Sequence, residues 1–244
     1  MRIALCVIKI EYEMEKNFNK ILHFIKLAGH KGANLILFPE AALTGLINND
    51  NPLHDLDLGI EIPGSHTERL IKLSSELNIY VGIGLFEKDG NKLFDSAILI
   101  SPSTGIILKY RRLTPGWHGK NVDNSFYGNG KQLKIVNTEL GSFIFLICGD
   151  LFDDGIVSRV RKKSPDWLLY PFARSFEKGI SIKEEWTKEK EYYTNRIKMI
   201  GTKGVMVNYI GEDGSFGGAM LVMPDGKIKA EMPVGKEGIL YVDL

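Results

Sequence analysis

The chain reads as an α/β protein with a single domain over residues 1–244, and three observations carry that reading. Short, wholly apolar runs such as "NLILFP" (34–39) and "DWLLYPFA" (166–173) have the composition of strands buried on both faces. Between such runs lie segments with apolar residues at three- and four-residue steps, the spacing of amphipathic helices. No linker-like stretch divides the chain, and 244 residues suffice for one full core.

The opening "RIALCVIKI" alternates as a strand does, and behind it Phe18, Ile21, Leu22, Ile25 and Ala28 line one face of a helix that Gly32 stops. The run at 34–39 then delivers Glu40 at its C-terminal end. A Pro/Asn/Asp-rich loop fills 48–64, and Ser65-His66-Thr67-Glu68 has capping-box spacing for a helix through Leu70, Leu73 and Leu77. "IYVGIGLFE", "FDSAILIS" and "GIILKYRR" follow as a meander, with turn residues Asp89-Gly90-Asn91 and Ser101-Pro102-Ser103-Thr104-Gly105 between them. Residues 113–130 have no periodicity and read as a functional lid. Strands "QLKIVNT" and "SFIFLIC" come next, then a short helix "DGIVSRVRKK", the buried strand at 166–173 and a long helix over about 181–203. The strand "GVMVNYIG" and a hairpin "GGAMLVMPDGKIKAEM", turning at Pro224-Asp225-Gly226, complete the order. The succession βαβα, meander, βαβα, hairpin suggests two similar halves.

Composition narrows the function. The 31 basic and 30 acidic residues nearly cancel, and no basic run interleaved with aromatics occurs, so neither nucleic acid nor an anionic membrane is expected as partner. A small molecule is. Two cysteines are too few for a disulfide scaffold, and the five histidines show no ligand spacing, so no metal is expected. The N-terminus reads as a strand rather than a signal peptide, and no run approaches the ~20 apolar residues of a membrane span, which together predict a cytoplasmic protein.

Chemistry-bearing residues fall at three strand ends, where α/β proteins place their sites. Cys148, in "FLICGDLFDD", leads from a strand into a short helix whose N-terminus favours the thiolate; Gly149 lets that turn tighten. Taken alone, Cys148 could equally be a small apolar residue finishing a buried strand. Glu40 ends another buried strand, where a carboxylate needs a partner or a task, though an isolated Glu is as readily a surface residue. Arg111 and Arg112 end a third, with solvated arginines as the plain alternative. The three strand ends together strengthen each other.

"LILFPEAALTG", "GIILKYRRLTP", "FLICGDLFDD" and "GGAMLVMPDGKI" together resemble the carbon-nitrogen hydrolase (nitrilase) superfamily, in the family's order and over essentially the whole chain. Arg196 and Asn208, in the long helix and the strand after it, match as well. The resemblance implies a four-layer α-β-β-α sandwich, dimers paired through outer helices, and no cofactor. It implies a cysteine nucleophile, matched by Cys148, and a glutamate base, matched by Glu40. The family's Tyr-Arg-Lys is here Tyr110-Arg111-Arg112, so Arg112 takes the place of the oxyanion-binding lysine. By its distance from the Tyr127–Gly130 segment, the second glutamate's position falls on Asp123. A longer arginine and a shorter aspartate are expected to compensate as an Arg112–Asp123 pair. Lys109 lies on the opposite strand face from Arg112, and Lys120 in the loop is a weaker replacement candidate.

The expected activity is cleavage of a non-peptide C–N bond in a small linear amide or N-carbamoyl compound, through a cysteine acyl-enzyme that releases ammonia. The alternative is a protein of the same fold that binds a small ligand without turnover. Gly149, Phe172 and Arg174 are the candidate substrate contacts, Arg174 as a carboxylate binder. Asp153 and Asp154 lean toward neutral or cationic amides as substrates, with ordinary dipole partners opening a helix as the plainer reading. Trp117 and His118 are placed at the pocket entrance or in solvent, Asp150 is expected to tie the nucleophile turn to an arginine such as Arg111, and Cys6 belongs to the core.

Overall fold

Two mixed β-sheets lie face to face in the computed structural model, which describes residues 1–177 and 179–244. In the first, strands β13 (Gly238–Asp243), β1 (Arg2–Val7), β2 (Leu35–Leu37), β3 (Tyr80–Asp89), β4 (Lys92–Ser101) and β5 (Gly105–Arg111) are neighbours in that order, with β6 (Tyr127–Gly128) on β4. The second runs β12 (Ile228–Met232), β11 (Ala219–Val222), β10 (Lys203–Val207), β9 (Trp167–Pro171), β8 (Gly141–Phe145), β7 (Val136–Thr138). Each sheet has a parallel centre, β1-β2-β3 or β8-β9-β10, flanked by antiparallel strands. The two halves expected from the element order therefore repeat one arrangement.

Strand parity decides what each face meets. Ile3, Leu5 and Val7 of β1 point between the sheets into a core shared with Phe143, Phe145, Leu169 and Val205. Ala4, Cys6 and Ile8 point the other way, under helices α1 (Met14–His30) and α3 (Ser65–Leu77) through Phe18, Ile21, Ile25 and Leu70. Helices α4 (Asp154–Lys163) and α5 (Ile182–Ile200) cover the second sheet with Val157, Val160, Tyr193 and Ile197. Helix, sheet, sheet, helix is the four-layer sandwich. Among the described residues, no helix is long and apolar enough to cross a membrane.

Several elements depart from the sequence reading. The edge strand β13 has no expected counterpart, because its partner β1 lies at the other end of the chain and no local turn announces the pairing. The loop at 48–64 contains a short helix, α2 (Pro52–Leu56), whose first turn is closed by the Asn51 side chain accepting from the Leu53 N–H. Helix α3 is capped one residue earlier than the box spacing suggests: Gly64 is the N-cap, and its N–H donates to Thr67 Oγ1 at 2.8 Å. The lid is a packed loop. Trp117 is buried against Phe86 and Tyr127, and Asn48 and Asp50 bind the backbone of Trp117 and Gly119.

Beside the site, parity also separates Lys109 and Arg111 from Tyr110 and Arg112. Lys109 and Arg111 converge on Glu87, which is 1% exposed and also accepts from Ser96. Burial alone would raise the Glu87 carboxyl, but Arg111, Lys109 and Ser96 outweigh it and hold it below its ordinary value. Glu87→Ala releases Lys109 to solvent and leaves Arg111 with Asp89 alone, and should cost about 1–3 kcal/mol, a fall in Tm of roughly 2–12 °C for a chain of this size. Because the folded carboxyl is lowered, this contribution is complete above the ordinary value of 4.5 and fades as pH falls through the folded value. Melting curves of the two proteins should accordingly converge in acid; a constant gap would refute the ionic origin.

Candidate active site

The second strand ends in "LFPEAA", and the turn after it is clamped to β3. Gly84 N–H donates to Pro39 O at 3.1 Å, and Ala42 N–H donates to Gly84 O at 2.9 Å. A Cβ at position 84 would sit 2.6 Å from the Glu40 Cα, so glycine is what allows this approach. The result is a Glu40 carboxyl with no exposed surface, held between the sheets.

Arg112 reaches it from the end of β5. Its Nη1 donates to Glu40 Oε1 at 3.0 Å and lies 3.3 Å from Asp95 Oδ2, while its backbone N–H donates to Asp95 O at 2.8 Å. Its Nε donates to Thr114 Oγ1 at 3.2 Å, and the side chain is almost fully buried. A buried guanidinium between two buried carboxyls is a constellation that a solvated strand end would never require.

Cys148 opens a short 3₁₀ turn, Cys148–Phe152, after β8. Its φ of +41° lies in the left-handed region, uncommon for a residue with a side chain and a mark of a turn held by its surroundings. Those surroundings are visible. Tyr170 Oη donates to Cys148 O at 2.7 Å, and Arg196 Nε donates to Leu151 O at 2.7 Å. Asp150, fully buried, accepts from Tyr110 Oη, Ile147 N, Leu113 N, Thr114 N and Thr114 Oγ1 at 2.6–3.2 Å. The loop after β5 is thereby locked onto the Cys148 turn. A Cβ at Gly149 would fall 2.6 Å from Arg112 Nη2, which places the guanidinium against the backbone next to Cys148. The partly buried thiol itself lies 3.5 Å from Ala173 O.

The profile of the carbon-nitrogen hydrolase family matches residues 2–244. The chain belongs to that family. This carbon-nitrogen hydrolase is 25% identical to nitrilase 3 of Arabidopsis thaliana over 263 residues, 93% of this chain and 73% of the relative. Its fold superposes on a carbon-nitrogen hydrolase from Helicobacter pylori G27 with a TM-score of 0.86 at 18% identity, over 99% of this chain and 88% of the other. A mutant of the amidase from Nesterenkonia sp. AN1, solved with acrylamide added at its active-site cysteine, gives 0.82 at 18% identity over 100% and 93%.

Electrostatics in the hydrolase site are dominated by exclusion of water. Burial, followed by the nearby Cys148 and Asp95, pushes the Glu40 carboxyl well above its ordinary range, with Arg112 pulling the other way. Burial likewise raises Asp95 against the pull of Arg112. Burial disfavours the Arg112 charge, but Glu40 and Asp95 more than offset it and keep the guanidinium protonated. Burial and Asp150 raise the Tyr110 hydroxyl, which stays a donor. The Cys6 thiol, fully buried mid-strand, is pushed well up by burial and is inert. Among the described residues no group of three or more His, Cys, Asp or Glu is arranged to hold a metal ion.

Glu40, Arg112, Cys148 and Gly149 are thus brought together, and the other expected residues are not. Asp123 is exposed; its carboxylate accepts from Ser125 N–H at 2.8 Å and its carbonyl starts the turn into β6, so the expected Arg112–Asp123 pair is replaced by Arg112–Asp95. Phe172 is 1% exposed in an aromatic stack with Tyr170 and Trp186, a packing position rather than a substrate contact. Arg174 is engaged by Glu189 through Nε at 2.8 Å and through Nη2, so its fork is already filled by an internal carboxylate. Arg111 binds Glu87 and Asp89, leaving the tie to Asp150 to Tyr110 and Thr114. Lys109 binds Glu87 and Lys120 is exposed, so neither replaces Arg112. Asp153 caps α4 through the Ile156 N–H, as its place at the helix start predicts.

Proposed function

We propose that this carbon-nitrogen hydrolase cleaves a small neutral linear amide or N-carbamoyl compound through an acyl-enzyme on Cys148, releasing ammonia. The observation that carries the reading is the meeting of Glu40 and Arg112, 3.0 Å apart, beside the strained turn that presents Cys148. Glu40 takes the thiol proton, and the sulfur attacks the carbonyl carbon. The oxygen that becomes negative meets the Arg112 guanidinium, a donor fixed in a dry site before the reaction starts. Protonated Glu40 then returns its proton to the leaving nitrogen, ammonia departs, and Glu40 deprotonates the water that releases the acid. None of these steps calls for a cofactor.

The preference for a neutral substrate follows from Arg174. Its bidentate pairing with Glu189 leaves the cation near Cys148 satisfied, with no fork offered to a substrate carboxylate. The test is ammonia release from a panel of small amides and carbamoyl compounds with and without a distal carboxylate, run beside iodoacetamide labelling. Neutral compounds should turn over, Cys148 should alkylate far faster than Cys6, and Glu189→Gln should raise kcat/KM for anionic amides roughly tenfold by freeing one charge-assisted pair. No ammonia from any compound, with both cysteines equally slow, would favour ligand binding without turnover.

A further inference from the structure

Asp95 lies in the buried run "LFDSAILIS" of β4 and is 1% exposed. It holds Arg112 twice, by its carbonyl on the backbone N–H at 2.8 Å and by Oδ2 at 3.3 Å from the same Nη1 that binds Glu40. The remaining oxygens of the two acids, Asp95 Oδ1 and Glu40 Oε2, are buried with no other partner among the described residues. Such orphaned acceptors are costly unless something fills them. Both acids meet the same Arg112 Nη1, at 3.0 and 3.3 Å, so their carboxyls are neighbours and a proton on Glu40 faces Asp95.

We propose that Asp95 is a positioning residue for the hydrolysis: by sharing Arg112 with Glu40 it fixes the guanidinium at the nucleophile turn, and by accepting a hydrogen bond from protonated Glu40 it makes Glu40 the stronger proton acceptor. The inference rests on the hydrolytic role proposed for Glu40 and Cys148. In the step concerned, the S–H bond of Cys148 breaks with the electron pair left on sulfur, and an O–H bond forms on Glu40. Asp95 stays ionised and paired with Arg112 throughout. The titratable and charged groups facing Glu40 are Asp95 from β4, Arg112 from the end of β5, and Cys148 from the turn after β8; Asp150 faces Asp95, and Tyr170 of β9 and Tyr193 of α5 face the thiol and Glu40.

Asp95→Asn keeps the shape and removes the charge. Two readouts follow it across pH: alkylation of Cys148 by iodoacetamide, and kcat/KM for ammonia release. Without the Asp95 charge Glu40 is the weaker base, so the acid-side midpoint of both profiles should move down by about one pH unit. The plateau should drop about tenfold as the thiol keeps its proton more often. A residue that only supports the fold would lower rates evenly at every pH and leave the midpoint in place, and that result would overturn the proposal. Should the Asn variant not fold, Asp95→Ser, which leaves room for a water, is read in the same way. If the wild-type chain releases no ammonia, the hydrolytic reading fails by itself, while the alkylation profile still decides the role of Asp95.

Discussion

On the proposed mechanism, Cys148→Ala should cut ammonia release by on the order of 10⁴-fold or more, because a nucleophile is the group that makes the rest of such a constellation act as a unit. The fold should survive. Alanine has the same Cβ, so the left-handed conformation at φ +41° costs the two side chains about equally, and only the sulfur of a partly buried side chain is lost. Melting temperatures of wild type and variant are expected within a few degrees. Cys148→Gly sharpens the test, since glycine removes the steric penalty of roughly 1–2 kcal/mol at that position; for a chain of this length that is a rise in Tm of about 2–8 °C accompanied by the same loss of turnover. A protein that becomes more stable as it loses its nucleophile is holding Cys148 in place for chemistry. Cys6→Ala is the control and should leave hydrolysis unchanged, because Cys6 lies under α1 on the far face of β1. Retention of ammonia release by Cys148→Ala would remove the acyl-enzyme from consideration.

What the sequence disclosed and what it concealed follow from how each residue is placed. Glu40 and Cys148 were legible because each ends an apolar strand, and a strand end has a definite direction in an α/β sheet. Arg112 was separable from Lys109 because strand parity decides which face a side chain takes, and from Arg111 by the family's Tyr-Arg-Lys pattern. Asp123 was misassigned because it lies in an irregular loop. A count of residues along such a segment fixes how far the chain has gone but not where it points, and here it points to Ser125 and solvent. Asp95 was overlooked for the opposite reason: its strand looked wholly regular. A charge in a strand buried on both faces is itself a signal, since it cannot persist there without a counter-ion. Its counter-ion, Arg112, sits 17 positions away just past the end of the adjacent strand, and antiparallel register is what joins them. Likewise Arg174 read as a free carboxylate binder until α5 supplied Glu189 from one side. Residues whose partners come from the next strand or from a helix across the layer are invisible to spacing along the chain.

Arg112→Met should lower kcat by about 10²–10³-fold through loss of the oxyanion donor. A second consequence distinguishes it from a simple loss of contact. With the guanidinium gone, Glu40 and Asp95 face each other in a buried site with no cation, and both are driven further toward the neutral form. Glu40 then gives up its proton only at higher pH, so the acid limb of kcat/KM should move up. Stability follows the same sign. A carboxyl whose folded value is raised costs stability as pH climbs above the ordinary 4.5 of a glutamate, because the unfolded chain ionises first. The methionine variant should therefore be weakened most at neutral pH, by roughly 3–5 kcal/mol, and least in acid. Arg112→Lys keeps the charge but presents a single ammonium where the arginine fork spans Glu40, Asp95 and Thr114, and should retain more activity than methionine while showing a smaller shift. Removing Asp95's charge and removing Arg112's charge thus displace one limb in opposite directions. Loss of packing lowers a rate but has no means of choosing a sign, so a matched pair of opposite shifts assigns the effect to charges acting on Glu40. Shifts of the same direction, or none, would leave Arg112 as a residue that fills space beside the nucleophile turn.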